Sequence, residues 1–222
     1  MSVVARMFDR RDIDWARLVL VPLFMVLLIG NIDGLAAATS QERGAAHVVG
    51  MATSMLTAGF NFMVVWAYVR RGRASRTHRS WAAAAAAIVA TALPLVLVVV
   101  DRPRPSTMSR ELVSGALMVM GMSWSLWALM ALGPNLSVLA QARGLSTGGP
   151  YRWVRHPLYV GEAVTVLGIA ILIGRPLVLV LWAVLVLLQC CRAAAEEGVL
   201  MKAHPGYRDY QLRTARLLPG VF

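Results

Sequence analysis

Charge is what this chain has least of. Only 15% of its 222 residues are charged, against roughly 25% in a soluble globular domain. Five stretches hold almost no charge: Leu18 to Ile32, His47 to Val69, Trp81 to Val100, Leu112 to Leu132 and Leu158 to Cys191. Together with a hydrophobic content of 58%, this excludes a soluble fold, because one core cannot bury that much apolar sequence. Negative charge is scarcer still, with 11 acidic residues against 22 basic ones and a net charge of +11. On a soluble chain such a balance would point to nucleic acid. In a membrane chain the topology accounts for it, and no nucleic-acid partner is expected. Cysteine is nearly absent. Cys190 and Cys191 are adjacent, where bridging is rare, and no Cys or His stands at metal-ligand spacing. Neither a disulfide framework nor a metal site is expected.

The apolar stretches themselves give the architecture. The first four are each near the roughly 20 residues that cross a bilayer as helix. The fifth is too long for one crossing and is divided by Gly174-Arg175-Pro176 into two segments of about 16 residues, workable as a hairpin of thin spans. The expected fold is all-α: a polytopic bundle of six spans, five as the runner-up, forming a single membrane domain. Most basic residues then fall on one side, in the segment before the first span, in Arg70 to Arg79, near Arg143 to Arg155 and in the tail. Arg43, Arg102, Arg104, Arg110 and Arg175 fall on the other. Positively charged loops stay inside, so both termini are expected in the cytoplasm, of a cell inner membrane. A cleaved signal peptide around Leu18 to Ile29 is not expected, because Asp9, Asp12 and Asp14 precede it. Asn61 lies deep in a span and reads as interhelical glue.

The two halves differ. Residues 1–131 are mostly apolar. From Leu132 onward, Gly, Pro, His, Arg, Tyr and Glu cluster at span boundaries, and polar groups at membrane depth mark function. Gly148-Gly149-Pro150-Tyr151-Arg152-Trp153-Val154-Arg155-His156-Pro157-Leu158-Tyr159-Val160-Gly161 reads as a glycine-rich turn entering a helix. Pro157 suits the first helical position and His156 the cap. The exposed N–H groups and positive dipole end suit a carboxylate. Tyr159 shares the face of His156, and Gly161 allows a ligand or another helix to come close. The same residues also suit an anchoring belt at the membrane interface. Arg192 to Glu197 sets two adjacent carboxylates at the end of a span, which is either a solvated helix end or a site for a cation. His204 to Tyr210, with Arg213 and Arg216, is either an amphipathic segment on the inner leaflet or a lid.

In this order, these groups resemble the isoprenylcysteine carboxyl methyltransferase and phospholipid methyltransferase family of membrane enzymes. The resemblance runs from about Leu132 to Pro219 and includes Leu132-Gly133-Pro134-Asn135-Leu136-Ser137. It rests on Gly149-Pro150-Tyr151, on Arg155-His156-Pro157-Leu158-Tyr159, on Glu196-Glu197, and on Tyr207 and Tyr210. The resemblance implies a catalytic half, residues 132–222, that binds S-adenosylmethionine in a pocket formed by the last two spans and covered by the tail. Tyr151, His156, Tyr159, Gly161, Glu196 and Glu197 are the implied cofactor contacts, with His156 and Tyr159 at the methionine end and the glutamates at the amino group or ribose. Leu200 and Met201 are the candidates for adenine. Arg155, His156 and Glu197 are the catalytic candidates, and Arg152 and Arg192 the acceptor-binding ones.

A chain that sinks its catalytic half in the membrane suits a lipophilic acceptor: a phospholipid amine, a prenylcysteine-like carboxylate or a hydrophobic thiol. Arg152 and Arg155 favour an anionic head, since arginine grips carboxylate and phosphate in a two-pronged way. Membrane lipid is the other expected partner. Two other readings compete. A sterol-type reductase would bind NADPH, using Arg152, Arg155 and Arg192 for the 2′-phosphate. A small transporter or scaffold is disfavoured because the interrupted segment occurs only in the second half, without the matching break of an inverted repeat.

Overall fold

The computed structural model describes residues 15–38, 45–72, 76–77, 81–100, 107–137, 141–142 and 144–219. Each of the six apolar segments becomes a helix: α1 (Trp15–Ala38), α2 (Ala45–Arg70), α3 (Trp81–Val100), α4 (Met108–Leu132), α5 (Pro157–Ile173) and α6 (Pro176–Ala203), followed by the short α7 (Tyr207–Arg213). Four of them are long and apolar enough to cross a membrane, over Arg17–Ala36, His47–Arg70, Met108–Asn135 and Pro176–Ala203; α3 and α5 contribute the shorter apolar helices Ala85–Pro94 and Pro157–Ile173. The protein is a helical membrane bundle. At about 1.5 Å per residue, α5 is roughly 25 Å long and α6 roughly 42 Å. α6 therefore outruns a hydrocarbon core of about 30 Å, and its last turns stand beyond a single crossing. Of the basic residues that set the expected topology, Arg6, Arg10, Arg11, Arg43, Arg73, Arg79, Arg102, Arg104 and Arg143 lie outside the described residues, as do Asp9, Asp12 and Asp14.

The expected break between the last two spans is a helix stop and restart. Gly174 takes a left-handed conformation at φ 70° and returns its N–H to Ala170 O at 3.0 Å. Pro176 opens α6, where its missing N–H costs nothing. Yet α5 packs more extensively on α4 than on its hairpin partner. The reason is a run of small residues. A side chain on Gly121 would meet Thr165 Oγ1 at 2.5 Å and Gly161 O at 2.7 Å, and one on Gly161 would meet Gly121 O at 2.7 Å and Ser125 N at 2.8 Å. Without a hydrophobic force between helices in lipid, backbones held this close supply the packing. We expect Gly121→Leu to lower stability by about 1–3 kcal/mol, the cost of overpacking a close contact. The thermal midpoint of protein in lipid nanodiscs is the measurement, and an unchanged midpoint would mean that α4 and α5 do not pack this way.

Two apolar clusters complete the bundle. Val166, Ala170 and Ile173 of α5 pack with Ala90 of α3 and with Val178 and Leu185 of α6. Val64, Ala67 and Tyr68 of α2 pack with Leu129 of α4 and Leu136, and Leu20, Val21 and Phe24 of α1 close over them. One small departure from all-α is a two-residue antiparallel ladder, β1 (Arg76–Thr77) with β2 (Gln141–Ala142). It ties the basic connector after α2 to the segment leading into the site.

Candidate active site

The motif-bearing segments converge at one end of the bundle. A 3₁₀ turn over Gly149–Arg152 begins on Gly149 at φ 58°. A Cβ there would lie 3.1 Å from that of Ala131, so the turn needs glycine on both counts. The chain then runs extended against the tail. Val154 bridges Ala215 in parallel, Arg155 N–H donates to Ala215 O at 2.8 Å, and His156 N–H donates to Arg216 O at 3.1 Å. Pro157 starts α5 with His156 at its cap, but the imidazole makes no capping bond. The ring is instead turned toward α6. His156 Nε2 lies 3.2 Å from Glu197 Oε1, and Nδ1 lies 3.8 Å from Glu196 Oε2. One turn along, the Tyr159 ring stacks on His156, with centroids 5.4 Å apart and planes 3° from parallel. Its hydroxyl donates to Glu196 Oε1, and the Arg192 guanidinium sits 4.8 Å from its ring centroid.

The two glutamates have different surroundings. Glu197, 3% exposed, accepts from Arg155 Nε at 2.8 Å, from Arg216 Nη2 at 2.9 Å and Nε at 3.2 Å, and from Gln211 Nε2 at 3.3 Å. Arg155 also donates to the carbonyls of Gln211 and Thr214. Glu197 and Arg155 thus stitch α6, the segment before α5 and the tail into one piece. Glu196, by contrast, lines a cavity of about 630 Å³ together with Tyr151, Arg155, His156, Tyr159, Arg192, Leu200, Tyr207 and Tyr210. From this polar end the cavity runs into the bundle, past Met118, Met122 and Asn61 to Phe24 and Leu27 of α1. Asn61, expected to serve as glue between helices, is on its wall.

Burial raises the phenol pKa of Tyr151 and Tyr207 and pushes that of Tyr210 up to about 12. All three therefore stay neutral donors at ordinary pH. Tyr210 spends its proton on Tyr151 O at 2.7 Å. Tyr207 is 1% exposed and its hydroxyl has no hydrogen-bond partner among the described residues. A buried donor left unmatched is uncommon in native proteins; here it stands on the wall of the cavity.

Of the residues singled out from the sequence, the fold brings Tyr151, Arg155, His156, Tyr159, Arg192 and Glu196 to this cavity. Glu197 lies directly behind its wall. Gly161 is taken up by the α4–α5 contact. Arg152 is exposed and away from the lining, and so is Met201, whereas Leu200 lines it. Two groups, Gln211 and Glu162, escaped the sequence reading, and Arg216 entered it only as a basic residue of the tail. Gln211 and Arg216 are the distant partners of Glu197. Glu162 lines the cavity one turn beyond Tyr159, and its Oε2 accepts from Gln189 Nε2 at 2.8 Å. A single carboxylate inside an apolar run was its signal. Among the described residues, no cluster of His, Cys, Asp or Glu could hold a metal ion.

The fold and this site together define a helical membrane protein whose cavity has a polar end roofed by a basic tail. Residues 109–206 match the family model for phospholipid methyltransferase, the membrane methyltransferase family that the motifs of the second half resemble. The matched segment runs from α4 to the end of the turn before α7 and covers a little under half of the chain. Among curated proteins none matches the chain.

Proposed function

We propose that the protein is an S-adenosylmethionine-dependent methyltransferase that acts on a lipophilic acceptor at the cytoplasmic face of the membrane. The observation that carries this reading is the carboxylate of Glu196 on the cavity wall, beside the stacked His156 and Tyr159. The cofactor bears a sulfonium, an ammonium, a ribose and an adenine, and the residues present fit it. Glu196 offers a carboxylate to a cation, the unmatched hydroxyl of Tyr207 offers a donor, and Leu200 offers apolar surface. When bound, S-adenosylmethionine supplies a methyl group made electrophilic by the sulfonium.

The work left to the protein is alignment and exclusion of water. Holding two reactants in line can remove roughly 7–11 kcal/mol from a barrier. The rigid platform for this is the network around Glu197, which fixes the roof, the His156 cap and α6 relative to one another. Tyr159 holds the Glu196 carboxylate in place through its hydroxyl. The tail helix α7 closes the polar end, and the cavity beyond it leads into the apolar bundle, which suits an acceptor arriving from lipid. The basic residues on the tail's side of the bundle favour a cytoplasmic face.

The NADPH reading has less support in this geometry. Of the three arginines it would use, Arg152 is exposed and away from the cavity, and Arg155 is committed to Glu197 and two carbonyls. We expect S-adenosylhomocysteine, the demethylated product, to raise the thermal midpoint of the protein in nanodiscs, because a ligand that binds only the folded state stabilises it. NADPH at the same concentration should leave it unchanged. A shift with NADPH and none with S-adenosylhomocysteine would replace this reading by the reductase one.

A further inference from the structure

Glu162 is the group that the site described so far does not use. It lies in α5 six residues from the His156 cap, roughly 9 Å deeper into the bundle at 1.5 Å per residue. A carboxylate at that depth is costly to keep and marks function by default. It is held in place: Gln189, 2% exposed, donates to its Oε2 at 2.8 Å from the facing helix α6. It is also accessible, since it lines the cavity, whose lobe between α1, α2 and α4 sets Phe24, Leu27, Met118 and Met122 beside the small polar side chains of Thr53, Thr57 and Asn61. Arg192, one turn from Gln189 on the same helix, also lines the cavity, with its guanidinium 4.8 Å from the Tyr159 ring centroid. The lining thus carries two carboxylates and the Arg192 guanidinium, while the charge of Arg155 is directed to Glu197 behind the wall. An anionic acceptor head would meet Glu162 in its path.

We propose that Glu162, braced by Gln189, positions the methyl acceptor by accepting a hydrogen bond from its head, and that the acceptor therefore presents a proton-bearing group rather than a carboxylate, with its apolar body in the lobe toward α1. This rests on the methyltransferase reading and sharpens it. It turns the expectation from the sequence around. The arginines that favoured an anionic head are, in the fold, an exposed Arg152 and an Arg155 engaged by Glu197. The head group is selected inside the bundle by an acidic residue. The role is one of positioning and specificity.

Two single-chain amphiphiles of equal length, dodecylamine and dodecanoate, test this without turnover. Each is titrated into the full-length protein in nanodiscs saturated with S-adenosylhomocysteine, and the thermal midpoint is followed. Wild type should respond to dodecylamine at concentrations at least tenfold below those needed for dodecanoate. Glu162→Gln should abolish that preference, and Glu162→Asp should restore most of it. S-adenosylhomocysteine affinity should stay within twofold in both variants. Equal or tighter response to dodecanoate in wild type would overturn the proposal, as would a preference that survives Glu162→Gln. A fall in the midpoint of Glu162→Gln without ligand, with the preference intact, would assign the residue to balancing Arg192 and also overturn it. Failure of wild type to bind S-adenosylhomocysteine at all would be a different result, striking the methyltransferase reading itself.

Discussion

Glu197→Ala should unfasten the roof of the site. The substitution removes a carboxylate that is 3% exposed and leaves the guanidinium of Arg155, 7% exposed, without its counter-charge. Breaking a buried ion pair by deleting one partner costs about 3–5 kcal/mol, because the remaining charge is stranded in a poorly solvated place. Arg216 is the lesser part of this, since its side chain is 32% exposed and water can take over its solvation. The loss should appear first where the network joins separate segments. Gln211, Thr214 and Arg216 are held to Glu197 and Arg155, so the tail after α7 should become open to protease while the membrane helices stay protected. Two measurements check this: the thermal midpoint in nanodiscs, and the rate of cleavage after Arg213 or Arg216 by trypsin. Glu197→Gln should behave similarly but less severely, since the amide keeps one acceptor for Arg155. A variant with wild-type midpoint and an uncleaved tail, but with cofactor affinity lost, would show that Glu197 touches the ligand and is not the fastener described here.

That distinction between neighbouring glutamates marks the limit of what the sequence made legible. The helices were readable because lipid imposes one requirement on every spanning segment: a long run without charge. Each apolar stretch therefore announced itself, and so did the break at Gly174-Arg175-Pro176. The motif residues were readable because polar groups at a span boundary stand out against such a background. What stayed hidden depends on contacts between distant segments. Glu196 and Glu197 differ by one position, about 100° around α6, and the side of the helix that meets the cavity is decided by how α6 seats against the His156 segment and the tail. Arg216 looked like one more basic residue of the tail until the parallel pairing of Val154 with Ala215 brought it to Glu197. The role of Gly161 depends on its partner, and only the fold shows that Gly121 and Ser125 meet it. The length of α6 was underread for a related reason. Arg192, Glu196 and Glu197 looked like the end of a span, whereas the alanines between them are strong helix formers and the helix continues to Ala203.

Glu196→Gln should weaken S-adenosylhomocysteine binding roughly ten- to a hundredfold while leaving the fold intact. A hydrogen bond to a charged group contributes about 1.5–3 kcal/mol, and each tenfold in affinity corresponds to about 1.4 kcal/mol. Removing only the charge tests that contribution cleanly. The amide oxygen can still accept from the Tyr159 hydroxyl, so the stacked pair of Tyr159 and His156 keeps its support. The Glu197 network, which makes the larger share of the contacts at this end, is untouched. The effect should also depend on the ligand. S-adenosylmethionine carries the sulfonium charge that its demethylated product lacks, and if Glu196 faces the sulfonium, the substrate should lose more affinity than the product. If it faces the amino group, which both share, the two should lose equally. Arg175→Ala is the control, since Arg175 lies in the turn between α5 and α6, at the far end of α5 from His156. Isothermal titration of both ligands against wild type, Glu196→Gln and Arg175→Ala gives the comparison. Unchanged affinity for both ligands in Glu196→Gln, with the midpoint of the free protein preserved, would remove Glu196 from the cofactor site and with it the observation on which the cofactor reading stands.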